Sequence, residues 1–136
     1  MKAYLLLAGQ REGNSIYIVG VSRAKAPVAK FLNKLATSHP EVFRKVMGVV
    51  QQHATTGIVF NETISRRIKG KKNRGLFEFK VKVAKYGTAR LIYFYFGAGR
   101  TLIVVGCYKV KAKVFNREVA KALKLMKDFK AKGTFE

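Results

Sequence analysis

Three consecutive apolar runs, "LFEFKVKV" (76–83), "RLIYFYF" (90–96) and "TLIVVGCY" (101–108), constrain what this chain can fold into more than any other feature. The first alternates strictly, placing Phe77, Phe79, Val81 and Val83 on one face and Glu78, Lys80 and Lys82 on the other. That is the period of a strand covered on one side. The second and third runs are separated by "GAGR", a tight connection of the kind found between antiparallel neighbours. The expectation is a meander in an antiparallel sheet of about four strands, whose second face carries a cationic row open to water.

What covers the first face comes earlier in the chain. Pro27 suits a first helical position, and Val28, Phe31, Leu32 and Leu35 recur at helical spacing, predicting a helix over about 27–37. "SHPE" reads as a capping box of Ser38 and Glu41 with Pro40 in the first turn, starting a second helix at once. Its apolar positions Val42, Phe43, Val46, Met47, Val49 and Val50 leave Arg44, Lys45, Gln51 and Gln52 outside, and Gly57 is the natural stop. His53, at the end of this helix, reads as a cap or surface group. Before the helices, Tyr4 to Ala8 and Ile16 to Val21 are two β-prone runs around the turn-rich "GQREGNS". After the meander, Asn116 is a candidate cap for a final helix carrying Val119, Leu123 and Met126. The fold class predicted is α+β, with two N-terminal helices on an antiparallel sheet and a C-terminal helix. A single domain over residues 1–136 is expected, with 1–14 either an N-terminal extension or a hairpin strand.

Charge narrows the partner. Twenty-eight Lys and Arg face seven Asp and Glu in 136 residues, giving +21, and apolar residues still make up 49%, enough for a core. Residues 1–61 carry +6 and residues 62–136 carry +15. Such a field gathers polyanions, nucleic acid foremost, and binding to RNA is expected to weaken steeply with salt. The stretch "RRIKGKKNRG" contributes Arg66, Arg67, Lys69, Lys71, Lys72 and Arg74 as a cationic rim for nucleic acid, with Lys82 beyond it. One cysteine, Cys107, and two histidines make a zinc site improbable, and no cofactor is expected. The apolar runs are too short for a membrane span or a signal peptide, so no membrane partner and a cytoplasmic location are expected.

Acids are too scarce for a two-metal nuclease, and "GAGRT" has neither the spacing nor the lysine of a phosphate-binding loop. Metal-independent cleavage of RNA by its own 2′-hydroxyl stays open. It needs an acceptor for the 2′ proton, positive charge on the phosphorane-like transition state and a donor for the departing 5′ oxygen. Lys69, Lys71, Lys80, Lys82, Arg90, Lys109 and Lys111 are the candidates, because strands 76–84, 89–96 and 101–109 lie side by side in a meander. The plainer reading is that these cations solubilise an open sheet face and discourage edge pairing. Tyr93 and Tyr95, two residues apart in one strand, have the spacing to stack bases, although packing is the commoner use. Glu78, a lone acid among cations, is expected to pair with Lys80 or Arg90.

The order "RRIKG", "GLFEFKV", "ARLIYFYF", "TLIVVGCYKVKAK", "NREVAKAL" resembles the RelE/HigB-like toxins, and within them the phage-derived Gp49-like group, over about residues 15–130. The resemblance implies a small α+β toxin that cleaves messenger RNA, usually in the ribosomal decoding site. It also implies an antitoxin partner, usually one carrying a helix-turn-helix. By position it assigns catalysis to Lys80, Arg90, Lys109 and Lys111. Near the start of the last helix, where many relatives place a Tyr, His or Asp as candidate proton acceptor, this chain has Phe115. The alternative function is a non-catalytic nucleic-acid-binding or gyrase-inhibiting protein on the same fold, similar to the ParE-type poisons.

Overall fold

The computed structural model describes residues 1–10, 13–57 and 65–136; the change of period expected at Ile64 and the turn residues Arg11 and Glu12 lie outside them. β1 (Lys2–Leu7) runs antiparallel to β2 (Ser15–Gly20), with Ala3 opposite Val19. Two helices follow, α1 (Pro27–Ser38) and α2 (Pro40–Thr56). Next come the short β3 (Ser65–Arg67), a single 3-10 turn at Lys71–Asn73, and the meander β4 (Phe77–Val83), β5 (Gly87–Tyr95) and β6 (Arg100–Tyr108). α3 (Ala112–Lys132) and a two-residue β7 (Thr134–Phe135) complete the described elements.

The class is α+β as expected, but the sheet is larger and mixed. Seven strands run in the order β3-β4-β5-β6-β2-β1-β7, with β2 parallel to β6 and β7 parallel to β1. The meander was legible because neighbours in sequence pair through short turns. The parallel pairing of β2 with β6 joins segments some eighty residues apart, which no local pattern encodes.

The sheet is covered on both faces, and this corrects the expectation of an open second face. On one side Val28, Leu32 and Leu35 of α1 and Val42, Val46, Val49 and Val50 of α2 pack on Phe79, Val81, Leu91, Tyr93 and Ile103. On the other, Val119, Ala122, Met126 and Phe129 of α3 cover Ile92, Phe94, Leu102 and Val104. Apolar residues on both faces make β5 and β6 read as continuous rather than alternating runs, the signature of strands buried twice. β4, second from the β3 edge, alternates because α3 lies over β5 and β6 rather than over it. Of its three polar positions there, only Lys82 is fully exposed; Lys80 is half-buried and Glu78 buried.

Helix ends follow local chemistry with two corrections. Gly57 ends α2 in the left-handed region at φ 75°, as expected. His39, not Ser38, is the N-cap of α2, because Ser38 still belongs to α1 and no side-chain capping bond forms. α3 begins at Ala112 with Lys111 as its cap, one turn ahead of Asn116, which lies inside the helix; Phe115, in the first turn, stands over Arg90.

Gly106 is required by close approach: a Cβ there would lie 2.3 Å from Cδ2 and 2.8 Å from Cγ of Phe31 on α1. Contact at the root of the ring cannot be relieved by moving only its far end. Gly106→Ala is expected to destabilise the fold by about 1–3 kcal/mol through overpacking, read as a lower urea midpoint. An unchanged midpoint would mean that α1 does not depend on this gap. Among the described residues no helix is long and apolar enough to cross a membrane.

Candidate functional site

Alternation in β4 and pairing with β5 set the first two site residues beside one another. Lys80 lies directly opposite Arg90, and Arg90 lies opposite Cys107 of β6, so the three form one row across the sheet on the α3 side. The next row toward the end of the meander, about 7 Å along the strands, pairs Lys82 with Thr88, whose carbonyl accepts from the Lys109 backbone N–H at 3.0 Å. Lys109 turns the chain out of the sheet at φ 56°, and both it and Lys111 are exposed. Neither forms an ion pair or side-chain hydrogen bond with Lys80 or Arg90.

The centre of the arrangement is Glu78. Its carboxylate side chain is only 3% exposed and is clasped from both sides: Arg66 Nε donates to Oε1 at 2.9 Å, and Arg90 Nη1 lies 3.5 Å from Oε2. Arg66 reaches it because β3 pairs with β4 in a register that sets Arg66 opposite Glu78. Of the two partners expected for Glu78, Arg90 is present and Lys80 is not; Arg66 takes the other oxygen. The guanidinium of Arg90 is capped in turn by the Phe115 ring, with Cζ 4.4 Å from the ring centroid. A cation held between a carboxylate and an aromatic face keeps its charge while losing most of its freedom. The Lys80 side chain makes no ion pair or hydrogen bond among the described residues, and its charge stands beside this fixed one.

A cleft of about 250 Å³ opens over Glu78 and Arg66, two members of the Arg66–Glu78–Arg90 triad, between the loop after β3 and the start of α3. Phe115, Ile68 and Val119 give it apolar walls, and Arg66, Arg67 and Lys69 stand around it. Lys71, Lys72 and Arg74 continue the exposed cationic loop away from the cleft. Of the cations named from the sequence, Arg66, Arg67 and Lys69 thus stand around the cleft and Lys80 lies beside Arg90, while Lys109 and Lys111 stand apart from that pair. The covering by α3, the buried state of Glu78 and the seat of Phe115 on Arg90 went unread.

Other candidates resolve by burial. Tyr93 is wholly buried, stacked on Phe79 at 4.3 Å with its hydroxyl 2.8 Å from Ser65 Oγ, and burial raises its pKa; it packs and does not stack bases. Tyr95 keeps 41% exposure at the rim of a second, shallower depression that Lys80 also lines. Burial pushes the Cys107 thiol up to about 11, so it stays protonated next to Arg90. His53 is no surface group: it is 1% exposed, with Nε2 2.9 Å from Thr101 Oγ1, and burial lowers its pKa to about 4. A signal was available, since His53 continues the spacing Val42, Val46, Val49 of the buried stripe.

A family model described as "Phage derived protein Gp49-like (DUF891)" matches residues 30–127. No curated protein matches the chain. The matched span takes in every cation of the site and leaves out β1 and β2.

Proposed function

The chain belongs to the phage-derived Gp49-like family, a RelE/HigB-like toxin family, and on that premise we propose that it is the toxin of a toxin–antitoxin pair acting as a metal-independent endoribonuclease on messenger RNA. The observation that carries the reading is the cross-strand pair of Lys80 with Arg90, one cation free and the other fixed by Glu78 and Phe115. Cleavage in this reading is attack of the 2′ oxygen on the adjacent phosphorus as the 2′ proton passes to solvent water, with release of the 5′ oxygen, leaving a 2′,3′-cyclic phosphate and a 5′-hydroxyl. Arg90, oriented before substrate arrives, holds the non-bridging oxygens as they gain charge. Lys80, with three donors on a flexible stem, supplies the proton to the departing oxygen. Lys109 and Lys111, with Lys82, hold the RNA on one side of that phosphate, while Arg66, Arg67, Lys69, Lys71, Lys72 and Arg74 hold it on the other. The partners in this reading are messenger RNA on the ribosome and an antitoxin with a helix-turn-helix.

Primer extension on messenger RNA after brief expression, with and without ribosomes, tests the proposal. New 5′ ends are expected with the wild-type chain and none with Lys80→Ala or Arg90→Ala. Intact messages and undiminished translation, together with blocked DNA supercoiling, would overturn it in favour of a gyrase-directed poison on the same fold.

A further inference from the structure

Alternation in β5 sends Tyr95 to the same face as Leu91 and Tyr93, the one that α1 and α2 cover. Tyr93 is buried there, whereas Tyr95, about 7 Å further along the strand, meets α2 only at its end, with the His53 ring at 6.0 Å, and keeps 41% exposure. Beside it the half-buried Phe77 of β4 sets its ring 5.1 Å from that of Tyr95, at 67° to it. Arg67, opposite Phe77 in β3, brings its Cζ to 5.9 Å from the Phe77 centroid. A single exposed aromatic residue is ordinary on a protein surface. Two in contact, with a guanidinium over one of them, form a patch with a chemistry of its own.

The patch borders a depression of about 660 Å³ whose lining also holds Ser65, Arg66 and Lys80 and, among the described residues, no carboxylate. β3 ends the strand order, and its alternation divides its two arginines between the faces of the sheet, Arg66 reaching Glu78 and Arg67 reaching Phe77. Both arginines line this depression and the cleft over Glu78 alike, so one cationic edge runs from the catalytic side to the rings. Exposed rings among cations hold unpaired nucleic acid whatever its sequence, since each base offers a π-face to stack and each phosphate a charge to pair. A duplex keeps its bases stacked inside, and an apolar protein segment would leave three cations without counter-charge. We propose that Phe77 and Tyr95 form a stacking platform for bases of single-stranded RNA, on the face of the sheet opposite the Lys80–Arg90 row, with Arg66 and Arg67 carrying the backbone over the β3 edge between them. The proposal rests on the RNA reading above and adds to it a second contact region, indifferent to base identity, and a residue, Tyr95, on which it depends.

The test is binding rather than cleavage. Fluorescence anisotropy of the full chain compares a 2′-O-methyl oligo-A, which lacks the attacking hydroxyl, with an abasic strand of the same length and charge. The wild-type chain is expected to bind the oligo-A about tenfold more tightly, near the low end of what one stacked base contributes. Tyr95→Phe, which keeps a ring, is expected to keep that difference. Tyr95→Leu, which keeps apolar bulk without a π-face, is expected to lose it while binding the abasic strand as the wild type does. Equal wild-type affinity for the two strands overturns the platform, and so does a tenfold difference that survives in Tyr95→Leu. Should Tyr95→Leu weaken the abasic strand as well, the wild-type chain decides: irradiation with a 5-iodouridine strand is expected to cross-link Tyr95 or Phe77, and cross-links confined to other residues overturn the platform. Failure of the wild type to bind either strand overturns the RNA reading itself, a separate result.

Discussion

Removing both guanidinium partners of Glu78, in the double variant Arg66→Ala with Arg90→Ala, is expected to cost about 3–5 kcal/mol of folding stability, and adding Glu78→Leu is expected to return most of that loss. The carboxylate is 3% exposed. Unpaired, it must either stay charged away from water or take up a proton, and both are costly. A leucine of similar bulk has neither problem and borders Phe115 and Val119 across the cleft. Urea denaturation at neutral pH compares the double and triple variants; equal midpoints would show that the triad does not hold the fold. The same proteins separate structure from chemistry. The triple variant, folded but without Arg90, is expected to remain about 10²–10³-fold slower than wild type in RNA cleavage, the usual cost of one preorganised charge-stabilising group. Recovery of cleavage along with stability would assign Arg90 a structural role only.

The triad around the buried Glu78 joins features that are local in the sequence to others that are not. Alternation in "LFEFKVKV" correctly sent Phe79 and Val81 to one side and Glu78, Lys80 and Lys82 to the other, because side-chain direction in a strand is a local property. Whether that other side meets water is not local: it depends on α3, which begins after the meander and folds back across it. The information was in the neighbours, since beyond Arg90 the run "RLIYFYF" is apolar at Ile92 and Phe94, and "TLIVVGCY" at Leu102 and Val104, positions that a one-sided sheet would make polar. Arg90 and Lys80 could be named together because antiparallel neighbours with a short turn have nearly one possible register. Arg66 could not be tied to Glu78, because its strand is three residues long and its pairing is set by tertiary contacts. Phe115 looked like a lost proton acceptor, whereas its ring lies against the guanidinium it helps to orient.

Lowering the pH from 7 to 4 is expected to remove up to about 3 kcal/mol of stability through His53 alone, and His53→Gln is expected to be correspondingly less acid-sensitive. The imidazole sits beneath the end of α2, edge-on to Phe79 at 5.1 Å and bonded to Thr101 of β6, with Asn14 Nδ2 3.4 Å from the same nitrogen. Burial lowers its pKa to about 4 from the ordinary 6.5. Above pH 6.5 neither the folded nor the unfolded chain protonates this residue, so it adds no pH dependence there. Between 6.5 and 4 the unfolded chain takes up a proton that the folded one refuses, so stability falls as pH falls. Below about 4 both states are charged and the slope from this residue vanishes. Glutamine keeps a polar group within reach of Thr101 but cannot be protonated, so the difference between the two proteins isolates His53 from the carboxylates that titrate in the same range. Denaturation midpoints at pH 7, 5.5 and 4.5 measure it, and parallel curves for the two proteins would sink the assignment. The loss would fall where α2, β6 and the backbone around Asn14 meet, since Asn14 and Gly57 both donate to the His53 carbonyl. It would leave the cations of the triad, on the opposite face of the sheet, in place until global unfolding.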